Sequence, residues 1–193
     1  MVQILGMRHG EKDDDKLTSL GEKQVLATGE KLKKQGFIFD KLVHSGKKRT
    51  EHSLRILAEV MELTNLPLER NDRFCYPSGK QFLPTVEDFR AEMEKIQQAG
   101  GSLDVALKTS EYARAVRRYI HGSIIDLAID MRNKRQKFAL VFSHSPLIAT
   151  ASPFPEKTPY GLYECDGILY TVAKGKIISF EIIRAAMPGK TLW

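Results

Sequence analysis

The run Phe138-Ala139-Leu140-Val141-Phe142 constrains the fold more than any other stretch of the chain. Five consecutive apolar residues lead directly into Ser143-His144-Ser145-Pro146, so the segment has no polar face to turn toward water. A strand of this kind must be covered on both sides, as in a mainly parallel sheet with helices packed on each face. Residues 2–7 alternate and close on Arg8-His9-Gly10, which predicts a second buried strand ending in a polar turn. Phe37 to Val43 predicts a third, with a turn over His44 to Lys48.

Helical periods separate these strands. Ser19 and Glu22 form a Ser-x-x-Glu capping box, after which Val25, Leu26, Gly29 and Leu32 share one face as far as Gly36. Leu54, Leu57, Ala58 and Met61 mark a second helix, stopped by Pro67. The acidic stretch Glu11 to Asp15 reads as a loop, and residues 66–84, with Pro67, Pro77, Gly79 and Pro84, as an irregular excursion. Thr85 and Asp88 open a helix carried by Val86, Phe89, Met93 and Ile96, and a long helix follows from Tyr112 to Met131. Gly161 to Ala173 and Lys176 to Ile183 predict a C-terminal β-hairpin around Lys174-Gly175. The expected fold class is therefore α/β: a layered fold with a largely parallel central sheet flanked by helices, an irregular or helical insertion, and that hairpin. At 193 residues the chain suffices for one substantial core, so residues 1–193 are expected to form a single domain.

A net charge of +6 and a pI near 9.3 favour an anionic ligand. The basic clusters lie on or beside the expected helices with no aromatics interleaved, so nucleic acid is not the expected partner. With no run of about 18 apolar residues and no basic region followed by a long apolar stretch at the start, a soluble, cytoplasmic protein without membrane contact is expected. The two cysteines, Cys75 and Cys165, have no paired spacing that suggests a disulfide framework or zinc.

Three expected strands end in chemically able clusters: Arg8-His9-Gly10, His44-Ser45 with Arg49, and Ser143-His144-Ser145. Ligands of open α/β sheets bind beyond the carboxyl ends of the strands, where parallel strands would bring these clusters together. Two arginines and two histidines there suit a compact dianion, because the planar arginine fork matches phosphate oxygens. Arg49 would also stand beside a helix N-terminus, which favours anions.

At these residues the chain resembles the histidine phosphatase superfamily, which includes phosphoglycerate mutases. The matching features are Arg8-His9-Gly10-Glu11 after the first strand, Leu17-Thr18-x-x-Gly21 entering a helix, Ser45-x-x-x-Arg49 before another helix, and His144 after an apolar strand. The resemblance implies a phosphoglycerate mutase-like fold in which His9 attacks phosphorus and the resulting phosphohistidine is hydrolysed. It implies that Arg8, Arg49 and His144 hold the phosphoryl oxygens, with Gly10, Glu11, Ser45, Ser145 and His52 as substrate-binding neighbours. A carboxylic acid would protonate the leaving oxygen. Glu87 and Asp88 are the leading candidates for it and Asp72 the outside choice. No metal and no cofactor are required.

Seven residues separate His9 from Leu17, where the mutases carry a longer loop, and Ser53 and Ser145 stand where the family often has threonine and glycine. These departures favour a phosphatase over a mutase. A weakly active phosphate-binding or scaffold protein of the same fold is the alternative. The expected partner is a phosphorylated small molecule or phosphoprotein, met by a basic rim of Lys12, Lys47, Lys48 and Lys80. His44 is read as packing beneath the site, His121 as a helix residue, and Glu164 and Asp166 as surface positions.

Overall fold

The computed structural model describes residues 1–77, 86–187 and 189, and of residues 86, 87, 89 and 90 the backbone alone. Lys80 and Thr85, and the side chain of Glu87, lie outside the described residues. The elements run β1 (Val2–Arg8), β2 (Lys12–Asp13), β3 (Lys16–Leu17), α1 (Ser19–Lys34), β4 (Lys41–His44), α2 (Lys48–Val60), β5 (Leu68–Arg70), α3 (Val86–Gln98), α4 (Leu103–Thr109), α5 (Glu111–Asn133), β6 (Phe138–Ser143), β7 (Gly167–Ala173) and β8 (Lys176–Ile183).

The main sheet has the order β5-β4-β6-β1-β7-β8. Its first four strands are mutually parallel, and β7 and β8 add an antiparallel edge. The apolar run thus occupies an interior strand, with Ala139, Leu140, Val141 and Phe142 all buried. On one face Ile4, Val43 and Val141 pack with Val116, Ile120, Ile124 and Leu127 of α5. On the other, Leu5, Met7, Leu42, Leu140 and Phe142 meet Val25 and Leu32 of α1 and Leu54 and Leu57 of α2. Period-two alternation here separates two cores, so both faces are apolar and the strands read as nearly continuous hydrophobic runs. Met93 and Ile96 of α3, Leu103 and Ala106 of α4, Ala113 and Tyr160 form a smaller third cluster.

Several local expectations are corrected. The N-cap of α1 is Thr18, whose side chain accepts from Gly21 N–H, so the capping position falls one residue before Ser19. β4 starts at Lys41 instead of Phe37, since Phe37 and Phe39 turn inward against Phe138, with ring centroids 5.6 and 4.7 Å away. The Asp40 carboxylate accepts from the N–H groups of Lys137 and Phe138, which fixes the entry to that strand. The acidic stretch is a small β2–β3 hairpin with Asp14 at φ 51°, a left-handed turn position that short polar side chains tolerate. The excursion after Pro67 contains β5, paired in parallel with β4, and α4 precedes the long helix. Glu164 and Asp166, expected at the surface, are 2% and 3% exposed. Both lie in the segment that leads back to β7, where Glu164 meets the buried Arg8 and Asp166 the exposed Arg184.

Candidate active site

The register brings the three clusters into one row. Arg8 of β1 stands opposite Ser143 of β6, and His44 of β4 opposite Phe142, so His9, His144 and Ser45 leave adjacent parallel strands side by side. β7 runs the other way, so its entrance joins the same edge; Arg8 N–H donates to Asp166 O and Arg8 Nη1 to Leu162 O at 2.7 Å. Arg8 Nη2 lies 3.4 Å from the Glu164 carboxylate, both side chains being almost fully buried. Burial pushes the Arg8 guanidinium below its ordinary value while Glu164 pulls it back up, so this acid is the counter-charge that lets an arginine sit inside the fold.

His9 Nδ1–H donates to Gly10 O at 2.7 Å, which leaves Nε2 with its lone pair. Arg49 Nε donates to that lone pair at 3.1 Å. Burial first, and then the cations Arg49, Arg8 and Lys12, lower the His9 imidazole to about 3, so it is neutral at physiological pH.

A hydroxyl chain assigns the tautomer of His144. Thr50 Oγ1 donates its single proton to Lys47 O at 2.7 Å and can only accept from Ser45 Oγ, 3.0 Å away. Ser45 Oγ therefore accepts from His144 Nε2–H at 2.8 Å. The remaining lone pair, on His144 Nδ1, receives Arg49 Nη2 at 3.3 Å. Burial, with His9 and Arg49 as the next causes, holds this ring well below the usual histidine value too. Two neutral imidazoles, their centroids 5.5 Å apart, thus direct lone pairs at one guanidinium.

The backbone around them is held from both sides. Gly10 N–H donates to Ser53 Oγ, which in turn donates to Arg49 O, tying the end of β1 to the first turns of α2. Glu11 N–H donates to the buried Gln24 of α1 at 2.8 Å, and Glu11 Oε2 accepts from Thr18 Oγ1 at 2.6 Å. Gly10 and Gly21 meet backbone to backbone: a Cβ on Gly21 would overlap the Glu11 carbonyl oxygen and come within 2.9 Å of Glu11 N. This is the physical content of the glycine in the Leu17-Thr18-x-x-Gly21 pattern.

Of the expected site residues, the structure draws together Arg8, His9, Gly10, Ser45, Arg49 and His144. Ser145 is close by but structural in its contacts, its Oγ accepting from Leu162 N–H at 2.7 Å and its carbonyl from Tyr76 OH. Glu11 secures the β2–β3 hairpin through Thr18. His52 is exposed, and its ring lies 3.8 Å from the Glu22 carboxylate instead of turning to a cage residue. His44 is buried beneath the row, with its Nδ1 accepting from Gly46 N–H. Asp88 is exposed on the first turn of α3. Asp72 is bound in a fork by Arg70, with Nε and Nη2 at 2.7 and 2.9 Å, and that pairing lowers its carboxyl, which argues against it as a proton donor at neutral pH.

Asp15, Thr50 and Tyr76 support the cage without having been singled out in the sequence, and Glu164, read there as a surface position, supports it through Arg8. Asp15 Oδ1 meets Arg49 Nη1 at 2.6 Å. The Tyr76 ring stacks 5.8 Å from His144. From Ser45, Lys47 and Tyr76 a cleft of about 420 Å³ leads outward between Arg70, Arg73 and Tyr119. Of the expected lysine rim, the structure places Lys47 in this cleft.

Comparisons with known proteins agree with this fold. A phosphoglycerate mutase from Bacillus anthracis str. Sterne superimposes with a TM-score of 0.68 at 16% identity, covering 95% of this chain and 92% of that one. The protein histidine phosphatase SixA complexed with tungstate gives 0.58 at 17% identity, covering 95% and 96%. A phosphoserine phosphatase from Entamoeba histolytica gives 0.60 at 16% identity, covering 99% and 98%. These likenesses establish the fold. In sequence, 122 residues are 31% identical to a 2,3-bisphosphoglycerate-dependent phosphoglycerate mutase of Elusimicrobium minutum (strain Pei191), covering 55% of this chain and 48% of the mutase, so the match spans about half that relative's length. Among the described residues no helix is long and apolar enough to cross a membrane. The family model for branch 1 of the histidine phosphatase superfamily matches residues 4–152, from the first buried strand to just past His144, and the chain belongs to that superfamily.

Proposed function

We propose that this chain is a metal-independent phosphatase that hydrolyses phosphomonoesters, of small molecules or of a phosphoprotein, through a phosphohistidine on His9. The observation that carries the reading is the locked tautomer of His9: with Nδ1–H held by Gly10 O, the Nε2 lone pair faces into a cage of two guanidiniums. A neutral, oriented imidazole is a competent nucleophile, and the arginines stabilise charge on the equatorial oxygens as it develops. They supply the positive charge for which other phosphatases use a metal ion.

In this reading, His9 Nε2 forms a bond to phosphorus while the bond to the leaving oxygen breaks, and that oxygen takes a proton. Water then attacks phosphorus, its proton passing to the carboxylate that protonated the leaving oxygen, and the bond from phosphorus to Nε2 breaks to free His9. His144 can hold a phosphoryl oxygen only by donating from Nδ1, because its Nε2–H is committed to Ser45. It must therefore take a proton, either from solvent or from a monoanionic phosphate that arrives carrying one. The leaving group would occupy the cleft beyond Tyr76, whose mixed polar lining and open mouth suit a permissive specificity. In this reading the proton donor to the leaving group is Glu87 or Asp88, in the first turn of α3.

The names of the structural neighbours include both mutases and phosphatases. The short β2–β3 hairpin, in place of a longer phosphate-contacting loop, favours hydrolysis. The test is turnover of an aryl phosphate with chelator present, together with detection of an acid-labile phosphoryl group on the protein. Both should vanish in His9→Ala. Binding of phosphate with neither label nor turnover would instead identify a phosphate-binding protein that has lost the reaction, and rescue by zinc or magnesium after chelation would place the chemistry on a metal.

A further inference from the structure

We infer that Asp15 is a resident anion, which the substrate's phosphate must displace from Arg49 and from the N-terminal amide of α2. The inference rests on the reading of this cage as a phosphate site. One Asp15 oxygen, Oδ1, lies 2.6 Å from Arg49 Nη1, and the other, Oδ2, accepts from Lys48 N–H at 3.2 Å. Those are two donors that a phosphate at this point of the fold would seek, a guanidinium and the first amide of a helix. The N-cap residue of α2, Lys47, provides no side-chain acceptor, so a carboxylate from a distant segment fills the position a capping group would take.

With Asp15 in place, Arg49 has no idle nitrogen: Nε serves His9, Nη2 serves His144 and Nη1 serves Asp15. Each cage arginine also carries its own carboxylate, Glu164 for Arg8 and Asp15 for Arg49. The two pairs differ in how firmly they are held. Glu164 is sealed in, whereas the Asp15 side chain is 34% exposed on a hairpin of two-residue strands whose residues are largely at the surface. A partly exposed ion pair contributes little stability and exchanges readily, so Asp15 can leave where Glu164 cannot.

A tethered carboxylate competes at an effective concentration in the millimolar range or above. It therefore weakens binding of every small anion and returns to Arg49 as the product phosphate departs. Asp15 sets a threshold for what the site retains: an ester with further contacts in the cleft holds on, and free phosphate is expelled.

Calorimetric titration of the full chain with inorganic phosphate, comparing wild type with Asp15→Asn and Asp15→Ala, tests this. Asn keeps an oxygen for Lys48 N–H while removing the charge, and Ala removes both. The expected result is phosphate binding about tenfold tighter in the Asn variant and tighter than wild type in the Ala variant, with phosphate a correspondingly stronger product inhibitor. If Asp15 merely orients Arg49, both variants bind more weakly, and equal or weaker binding overturns the inference while leaving the phosphate site intact. No phosphate binding by any of the three proteins overturns the inference together with the reading of the cage.

Discussion

Gly21 and Gly122 both lie within helices, and replacing each by alanine should move stability in opposite directions. Helix propensity alone favours alanine over glycine by roughly 1 kcal/mol at an interior position. At Gly122 in α5 the new methyl meets, among the described residues, nothing nearer than Arg73 Nη2 at 4.0 Å, so that gain should be realised, raising the melting temperature by about 2–4 °C for a chain of this size. At Gly21 the methyl would overlap the Glu11 carbonyl, a backbone atom that no side-chain rotation can clear. Either α1 or the hairpin must retreat. Overpacking of this kind costs about 1–3 kcal/mol, and separating the two segments also strains the bonds from Thr18 N–H to Glu11 O and from Glu11 N–H to Gln24, each worth about 1 kcal/mol. After subtracting the propensity gain, Gly21→Ala should destabilise by roughly 2–4 kcal/mol, a fall of about 5–15 °C. Because Gly10 O fixes the His9 tautomer, a displaced Glu11 should also cost about tenfold to a hundredfold in kcat. Thermal and urea unfolding of both variants, with aryl phosphate turnover, measure these effects. A Gly21→Ala protein as stable as wild type would refute the argument that backbone contact dictates glycine there.

Acid should destabilise the fold earlier than its carboxylates would suggest. His9, held at about 3, and His144 are neutral when folded but bind protons near 6.5 when unfolded, so their contribution is complete above about pH 6.5 and is lost as pH falls toward the folded values. Unfolding free energy should decline between pH 6 and 4.5, and in His9→Asn the slope should ease by up to about 1.4 kcal/mol per pH unit; an unchanged slope would show that His9 is not held neutral by the fold. Glu164→Ala leaves Arg8 buried without its carboxylate and should cost roughly 3 kcal/mol in urea unfolding, whereas an exposed Glu164 would give a change near zero.

The sheet was largely legible because its signal is local. A strand covered on both faces must be apolar throughout, and Phe138 to Phe142 states that directly. Arg8-His9 and His144 were legible because polar groups immediately after such strands can only fall at the sheet's edge. The pairing of Arg8 with Glu164 was not, because nothing local distinguishes a buried acid near a strand entrance from a surface one. That depends on β7 running antiparallel to β1, a fact of topology. Asp15 was hidden for a different reason: a short acidic stretch is ordinarily solvated, and its role here follows from a hairpin only two residues deep. β5 was missed since three residues carry no period. Glu87 sits where the sequence pattern ran out, and its side chain lies outside the described residues.

The position of β1 in the strand order also bears on how the molecule is made. An early strand of the chain ends up inside the sheet, yet both of its neighbours come late: Gln3 lies opposite Phe138 and Val2 opposite Val172. During synthesis this apolar segment leaves the ribosome long before either partner exists, so it must be kept from its own copies and from other sheets by chaperones or by transient burial. Closing so large a loop also makes folding slow compared with a helical chain of equal length. His9 is translated before both β6 and β7, and its setting becomes complete only after β7 has emerged, so until then a nascent chain carries the proposed nucleophile without its surrounding cage.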